Sequence, residues 1–315
     1  MTRGDRAGVL LMTYGSPASL GREDVRDYLA RVRGGHEATE ELVDEFTRRY
    51  RVIGGSPLIA ITRAQAAALA ERLGWPVEVG MRFSEPSPEA GLRALSEADV
   101  SEVAGIILSP QFSPLLMGGY ARAVDEAGAT LGDEAPRVAI AGAWHDESAF
   151  VAALAGRLTA ALERLPAHER GSVAVLMTAH SLPQRVADQE PGYLEQLRDT
   201  AEMVAAQAGL DAGRWRFCWQ SAGHEPGEWM KPDFADLMPE LASAGCRSVV
   251  VAPVQFLADH LEILYDIDVG AREQAERCGL RFHRIESLNI DPGLVDALAS
   301  VARQTVGSVL GTSRD

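Results

Sequence analysis

The sequence predicts an α/β protein of two similar domains, each with a four-stranded parallel sheet flanked by helices. Apolar, β-branched runs alternate with helical segments along the 315 residues, which is typical of parallel sheets buried on both faces. Four such runs fall in each half of the chain. A chain of this length can hold one large or two medium domains, so the even division favours two.

Each predicted strand is a short apolar run bounded by polar or turn-forming residues. The expected strands are 8–13, 77–82, 103–109 and 137–141 in the first half, and 172–178, 216–219, 248–252 and 282–286 in the second. Apolar residues recur with helical spacing in the alanine-rich stretch 63–73 and in the stretch 147–165. The order of elements is therefore that of crossover-linked parallel strands.

The predicted domains are 1–145 and 146–291. Helical spacing continues over 292–310, and we expect a C-terminal helix within 292–315 to pack back on the N-terminal domain. Ligands of open parallel sheets bind beyond the carboxyl ends of the strands. The polar residues at such ends are Tyr14, His180, Gln220 and Gln255. A cleft between two facing domains is the expected site.

Composition excludes several classes of partner. Apolar residues make up 46% of the chain, and the net charge is −15. Nucleic acids and anionic membranes require a positive field, so neither is an expected partner. No apolar stretch approaches the ~20 residues of a transmembrane helix, and no export signal precedes the first strand. We expect a soluble, cytoplasmic protein.

Two common bound groups lack supporting motifs. The chain has no GxxxxGK[ST] loop and no GxGxxG after the first strand, so no nucleotide is predicted. The three cysteines, Cys218, Cys246 and Cys278, lie far apart without a CxxC pair. They support neither a disulfide scaffold nor a zinc ribbon, and we expect reduced thiols.

Acidic residues and two histidines follow the predicted strands of the second half. If the segment after 248–252 is an α-helix, Asp259, Glu262 and Asp266 share one face at i, i+3 and i+7. Such a like-charge cluster is costly unless water, a metal or a proton neutralises it. His180 stands at a strand tip and can be catalytic or a core histidine, and Glu262 can be a ligand or a solvated carboxylate. His260 is expected to orient a neighbour or to begin the helix.

A basic cluster and a broken loop mark the first half. Arg48-Arg49-Tyr50-Arg51 precedes a glycine-rich turn, which indicates carboxylate or phosphate recognition or a solvated surface. The loop 111–120 either contacts a flat ligand or is an ordinary turn. In the second half, Trp219 either lines a cleft or packs in the core.

Six motifs together make the chain resemble the ferrochelatase family over nearly its whole length. They are Tyr14-Gly15-Ser16-Pro17, Arg49-Tyr50 with Gly54-Gly55-Ser56-Pro57-Leu58, Ser109-Pro110-Gln111-Phe112-Ser113, Ala179-His180-Ser181-Leu182-Pro183, Trp219-Gln220-Ser221, and Pro253-Val254-Gln255-Phe256 leading into Asp259-His260-Leu261-Glu262. The resemblance implies two Rossmann-like, chelatase-like domains with a porphyrin cleft between them. It also implies a lyase of haem biosynthesis that takes Fe²⁺ as a substrate.

The resemblance further implies roles for individual residues. His180 and Glu262 become the catalytic, metal-side pair, and Asp266 extends the acidic line in a helix that the family distorts locally. Tyr14 looks like the coproporphyrin III branch, in which a tyrosine faces the iron from the opposite side of the ring. His260 and Trp219 are implied to support the catalytic residues without contacting the substrate. The residues that the resemblance implies for the propionates are Arg33, Arg49, Tyr50, Ser56, Tyr120 and, as a helper, Arg82.

The resemblance also has limits. No cysteine follows Cys278, so no iron–sulfur cluster is predicted, and Gly270 stands where some relatives continue the acidic line. Protoporphyrin IX ferrochelatase, cobalt insertion into a cobalamin precursor and a non-enzymatic haem or metal carrier stay open as alternatives. The expected partners are the porphyrin and, through transient contact, adjacent enzymes of the haem pathway.

Overall fold

Eight parallel strands form two separate four-stranded sheets within the part of the chain that the structure describes. This structure, a computed structural model, describes residues 6–223 and 227–311. One unit runs to Trp144 and resumes at Asn289, and the other comprises His145–Leu288. The predicted fold class is confirmed, because both sheets are parallel and are flanked by helices.

The sheet of the first unit has β1 as an inner strand. Its strands are β1 (Ala7–Thr13), β2 (Val77–Met81), β3 (Glu102–Ile107) and β4 (Arg137–Ile140), in the order β2-β1-β3-β4. Val9, Leu10, Leu11 and Met12 are completely buried, as an inner strand covered on both faces requires.

Helices follow the strands of this unit in regular alternation. They are α1 (Arg22–Val32), α2 (Glu40–Val52), α3 (Leu58–Leu73), α4 (Pro88–Glu97) and α5 (Pro114–Leu131), followed by a 3₁₀ turn at Gly132–Glu134. The side chains of Thr39, Ser87 and Ser113 each accept a hydrogen bond from the backbone three residues on, which caps α2, α4 and α5. Gly74 ends α3 in the left-handed conformation.

The second unit repeats the same strand order. Its strands are β5 (Ala174–His180), β6 (Trp215–Gln220), β7 (Ser248–Pro253) and β8 (Arg281–Arg284), in the order β6-β5-β7-β8. Its helices are α6 (Ser148–Glu163), α7 (Gln184–Ala187), α8 (Pro191–Gln207), α9 (Phe234–Ser243), a π-helix (Glu262–Ala271) and α10 (Arg272–Arg277). The π-helix buries Ile263 and Ile267 in a core with Leu176 and Met238.

The last helix belongs to the first unit. Helix α11 (Pro292–Gly311) packs against β3 and α3, and Asp296 accepts a hydrogen bond from Arg72 at 2.5 Å. Among the helices of residues 6–223 and 227–311, none has the length and apolar character that a membrane crossing requires.

Two strand ends differ from the predicted bounds and matter for function. β5 runs two residues further than expected because Ala179 and His180 continue the pairing with Trp219 and Gln220. β2 ends one residue earlier than expected, at Met81, so Arg82 lies just beyond the strand. His180 is therefore held in the sheet, whereas Arg82 lies in the loop.

Candidate active site

His180 and Glu262 lie close together at the carboxyl edge of the second unit's sheet. His180 ends the inner strand β5, and Glu262 is the first residue of the π-helix. The Nε2 atom of His180 is 3.8 Å from Oε1 of Glu262, and the two side chains are 30% and 29% exposed. The fold thus brings an imidazole and a carboxylate, 82 positions apart in the sequence, to one solvent-accessible place.

The tautomers of two imidazoles are set by backbone carbonyls. Nδ1 of His180 is 2.5 Å from the carbonyl oxygen of Ser181, and Nδ1 of His260 is 2.8 Å from that of Ala258. Since a carbonyl oxygen only accepts, each Nδ1 carries a proton. Each Nε2 then faces Glu262, the second at 3.6 Å from Oε2. Metal-binding histidines are commonly held in this way, with one ring nitrogen tied and the other free to bind.

Glu262 is a carboxylate at neutral pH. Its burial favours the neutral acid, but the charge of His180 and the hydrogen bond and charge of His260 outweigh burial and lower the pKa of Glu262 to about 2. When His180 and His260 are neutral, the site carries one negative charge beside two imidazole nitrogens. Such a combination attracts a divalent cation.

The predicted ladder of three carboxylates is wrong at Asp259. This residue precedes the π-helix, so it does not share a helical face with Glu262. Its Oδ1 accepts a hydrogen bond from Ser287 at 2.7 Å and lies 3.5 Å from Nη2 of Arg284. A guanidinium neutralises Asp259, and the repulsion that the sequence pattern implied is absent there.

Asp266 lies in the π-helix, half-buried, four residues after Glu262. The π-helix bonds each N–H to the carbonyl five residues back, a rare geometry that occurs frequently at functional sites. Gly270, four residues after Asp266, has no side chain that could bind a metal ion. Within residues 6–223 and 227–311, no three His, Cys, Asp or Glu side chains are arranged to hold a metal ion.

Tyr14 follows β1 at the carboxyl edge of the first unit's sheet. Its carbonyl oxygen accepts a hydrogen bond from the backbone N–H of Phe83 at 3.0 Å, which ties it to the loop after β2. Gly15 has φ +93°, and a Cβ at this position would collide with the hydroxyl of Ser84. The turn that presents Tyr14 therefore requires glycine.

Arg82 is a half-buried cation in the loop after β2, and its backbone N–H donates to the carbonyl of Thr13, next to Tyr14, at 2.8 Å. Its guanidinium lies 4.7 Å from the ring centroid of Phe83 and 5.3 Å from that of Tyr120. A Cβ at Gly119 would overlap the guanidinium, so Gly119 provides the space for it. Burial lowers the pKa of Arg82 and raises that of the Tyr120 phenol. Within the described ranges, no carboxylate pairs with Arg82.

The remaining residues implied for the propionates occupy different environments in the first unit. Arg33 caps the end of α1 and is exposed. Arg49 donates to Glu45 at 2.8 Å and lies over Phe46, while Tyr50 is buried. Ser56 accepts a hydrogen bond at 3.4 Å from the first backbone N–H of α3.

The two supporting residues are buried in the second unit. Trp219 packs edge-on against Phe217, with ring centroids 5.0 Å apart, and it also lines a cavity of about 180 Å³. Trp219 is therefore a core residue that also lines a small cavity within the second unit, and its place in a cleft wall stays a prediction. His260 is buried beside Phe256 and orients its Nε2 toward Glu262. The cysteines are free thiols, and burial raises the pKa of Cys218.

Two further groups lie near the site: Gln255, which the sequence placed at a strand end without a role, and Arg284, which the sequence interpretation missed. The carboxamide of Gln255 bonds the backbone N–H of His180, and Arg284 bonds Asp268 of the π-helix. Gln255 stands at a strand end in the sequence, which is a weak signal of such a role. No local pattern marks Arg284, because its carboxylate partners lie 16 and 25 residues earlier.

Comparison with known proteins identifies the family of this chain. The model of the family described as Ferrochelatase matches residues 6–306. The chain belongs to the ferrochelatase family. It is 37% identical over 308 residues to the ferrochelatase of Deinococcus radiodurans, with 96% of each chain covered. It is 36% identical over 304 residues to the coproporphyrin III ferrochelatase of Geobacillus kaustophilus, with 94% of each chain covered.

Solved structures support the same fold for this member of the ferrochelatase family. SirB from Bacillus subtilis with Fe³⁺ aligns with a TM-score of 0.58 at 12% identity, covering 97% of this chain and 98% of SirB. CbiX, the terminal enzyme for siroheme biosynthesis in denitrifying bacteria, aligns with a TM-score of 0.51 at 16% identity, covering 95% and 98%. At these identities the likeness concerns the fold.

Proposed function

We propose that this ferrochelatase inserts ferrous iron into coproporphyrin III, with His180 and Glu262 as the catalytic pair. The observation that carries the proposal is the 3.8 Å approach of imidazole Nε2 to a carboxylate oxygen at the end of an inner strand. The reaction replaces two pyrrole N–H protons by Fe²⁺ and releases both protons. The product, iron coproporphyrin, passes to an adjacent haem-pathway enzyme through transient contact.

The distance between the two side chains suits a metal ion. A divalent first-row metal bonds imidazole nitrogen and carboxylate oxygen at about 2.1 Å each, and two such bonds span 3.8 Å at an angle of about 130°. Two protein ligands leave other coordination positions for water and for the porphyrin nitrogens. Fe²⁺ can therefore be held and then transferred, with Asp266 as an accessory carboxylate on the approach.

In the proposal the two groups have different roles. A base works best when its pKa is near the working pH, and the carboxylate of Glu262, with a pKa of about 2, is far below it. Glu262 therefore supplies charge and a metal ligand. His180, whose Nε2 is the open position of the ring, accepts the pyrrole proton, and His260 holds Glu262 in place.

The substrate assignment rests on cations and hydroxyls in the first unit. Coproporphyrin III has four propionates and protoporphyrin IX has two, so coproporphyrin III needs more cationic and hydroxyl side chains to bind them. Arg82 supports the assignment, because it is a stacked guanidinium with space provided by Gly119. In the proposal Arg82 acts with Arg33, Arg49, Tyr50, Ser56 and Tyr120. In the proposal Tyr14 contacts the product iron.

The first experiment removes the imidazole. His180→Ala is expected to abolish iron insertion while porphyrin binding, followed by fluorescence titration, is retained. His168→Ala is the matched control, since His168 is 78% exposed and precedes the strands on the amino side of the same sheet. Full activity in His180→Ala would refute the assignment.

The second experiment compares turnover on coproporphyrin III with that on protoporphyrin IX. A higher kcat/KM on coproporphyrin III is expected, and the reverse would establish the protoporphyrin alternative. Multiple turnovers with release of product would exclude a carrier. Turnover with Co²⁺ on an early cobalamin precursor, but not with Fe²⁺ on a porphyrin, would establish the cobalt alternative.

A further inference from the structure

We infer that Gln255 is a positioning residue for iron insertion, because its carboxamide fixes the backbone of His180 and is itself fixed by Tyr193. The inference rests on the proposed function of His180. The backbone N–H of His180 donates to Oε1 of Gln255 at 2.8 Å. The Nε2 amide of Gln255 donates to the phenolic oxygen of Tyr193 at 2.6 Å. A continuous chain of hydrogen bonds thus links helix α8 to the end of β5.

The sheet alone leaves the N–H of His180 without a ladder partner. On the β6 side, the N–H of Ser181 donates to the carbonyl of Gln220 at 2.7 Å. The N–H of His180 points to the opposite side, where regular pairing with β7 ends at Pro253. The last bond there runs from the N–H of Val254 to the carbonyl of Thr178 at 2.9 Å. Beyond it, the side chain of Gln255 replaces the bond that a longer β7 would make.

The backbone of His180 determines where its imidazole lies. Nδ1 is held at 2.5 Å by the carbonyl of the next residue, Ser181, so the ring is tied to its own main chain. A displacement of this main chain moves Nε2 with it, and the 3.8 Å distance to Glu262 changes. The tether therefore controls the separation of the two groups that the proposed reaction uses, without touching either reacting atom.

A carboxamide is suited to this position because it accepts at one end and donates at the other. The backbone N–H of His180 can only donate, so it fixes the amide with Oε1 toward β5, and the amide nitrogen then donates to the phenolic oxygen of Tyr193, which is buried at the start of α8. An apolar side chain of similar size at 255 would leave the N–H of His180 and the hydroxyl of Tyr193 without these partners, which favours a shift of the strand end.

The test uses three variants in the full chain. Gln255→Leu removes both bonds and is expected to lower kcat for iron insertion about 10- to 100-fold with an unchanged KM for porphyrin. Tyr193→Phe removes only the outer bond and is expected to cost less. Gln255→Glu restores both bonds, because a carboxylate accepts from the N–H of His180 and from the hydroxyl of Tyr193, and is expected to recover most of the kcat lost in Gln255→Leu.

Wild-type kcat in Gln255→Leu would overturn the inference, as would equal losses in Gln255→Leu and Gln255→Glu. Gln207→Leu, the same change on the exposed end of α8, is the control and should match wild type. Binding of Co²⁺ followed by its visible absorption gives a readout that does not need turnover, and Gln255→Leu is expected to weaken it about 10-fold or more. Failure of the wild type to insert iron would refute the proposed function, whereas unchanged Co²⁺ affinity in Gln255→Leu would refute the tether.

Discussion

Arg284 stabilises the segment that carries Glu262, and its removal is expected to destabilise the second unit. Its guanidinium donates to both carboxylate oxygens of Asp268, at 2.7 and 2.9 Å, and lies 3.5 Å from Asp259. It also donates to the carbonyl of Ile285 and the hydroxyl of Ser287. Arg284→Leu would remove the guanidinium that Asp259 and Asp268, which precede and follow Glu262 in the sequence, share.

The expected size of the effect follows from burial. Removing one partner of a fully buried ion pair costs about 3–5 kcal/mol. Arg284 is 14% exposed, but Asp259 and Asp268 are 23% and 26% exposed, so water partly compensates them. We therefore expect a loss of about 2–3 kcal/mol in the free energy of unfolding. In a domain of this size that corresponds to a decrease in Tm of about 4–12 °C.

Thermal unfolding followed by circular dichroism measures this loss. Arg277→Leu is the matched control, because Arg277 is exposed on α10 and its guanidinium makes no ion pair within the described residues. Asp268→Asn in the Arg284→Leu background should recover part of the stability, since it removes one uncompensated charge. If Arg284→Leu melts like Arg277→Leu, or the double variant is less stable than Arg284→Leu, the argument from uncompensated charge is refuted.

Three further predictions concern charge, product and pH. Glu262→Gln removes the negative charge beside His180 and is expected to lower kcat about 100-fold in the iron-insertion assay, with little change in KM for porphyrin. Tyr14→Phe is expected to retain a single turnover and to change the absorption spectrum of the bound iron porphyrin, because the phenolic oxygen is lost as a contact of the product iron. The guanidinium groups of Arg48 and Arg49 lower the pKa of Glu45 from 4.5 to about 2, so its stabilising contribution is complete above pH 4.5 and is lost as the pH falls toward 2. The difference in Tm between wild type and Glu45→Gln should therefore be full at pH 7 and decrease below pH 4.5.

A different result would contradict each of these three predictions. Unchanged kinetics in Glu262→Gln would make the carboxylate a solvated side chain, and Glu273→Gln on α10 is its control. An identical product spectrum in Tyr14→Phe would remove this residue from the iron. A difference in Tm for Glu45→Gln that is independent of pH would show that the pair with Arg48 contributes nothing to stability.

The strands were predictable because a buried parallel strand is apolar on both faces. A continuous β-branched run such as Val249-Val250-Val251 is typical of such a strand, and all three side chains are buried. The place of His180 at a strand end was predictable because it follows such a run directly. The error at Asp259 has an equally simple cause. Helical spacing assumed that the helix begins at residue 259, whereas it begins at Glu262 and is a π-helix.

The sequence alone determined the α/β class, the four strands in each half and the presence of polar groups at the strand ends, because these depend on local hydrophobic periodicity. Tertiary structure decided which of those groups meet. His180 and Glu262 approach each other, Asp259 turns to Arg284, and Gln255 reaches the N–H of His180. Contacts between side chains so distant in sequence depend on strand order and on where each strand ends, and no local pattern encodes either.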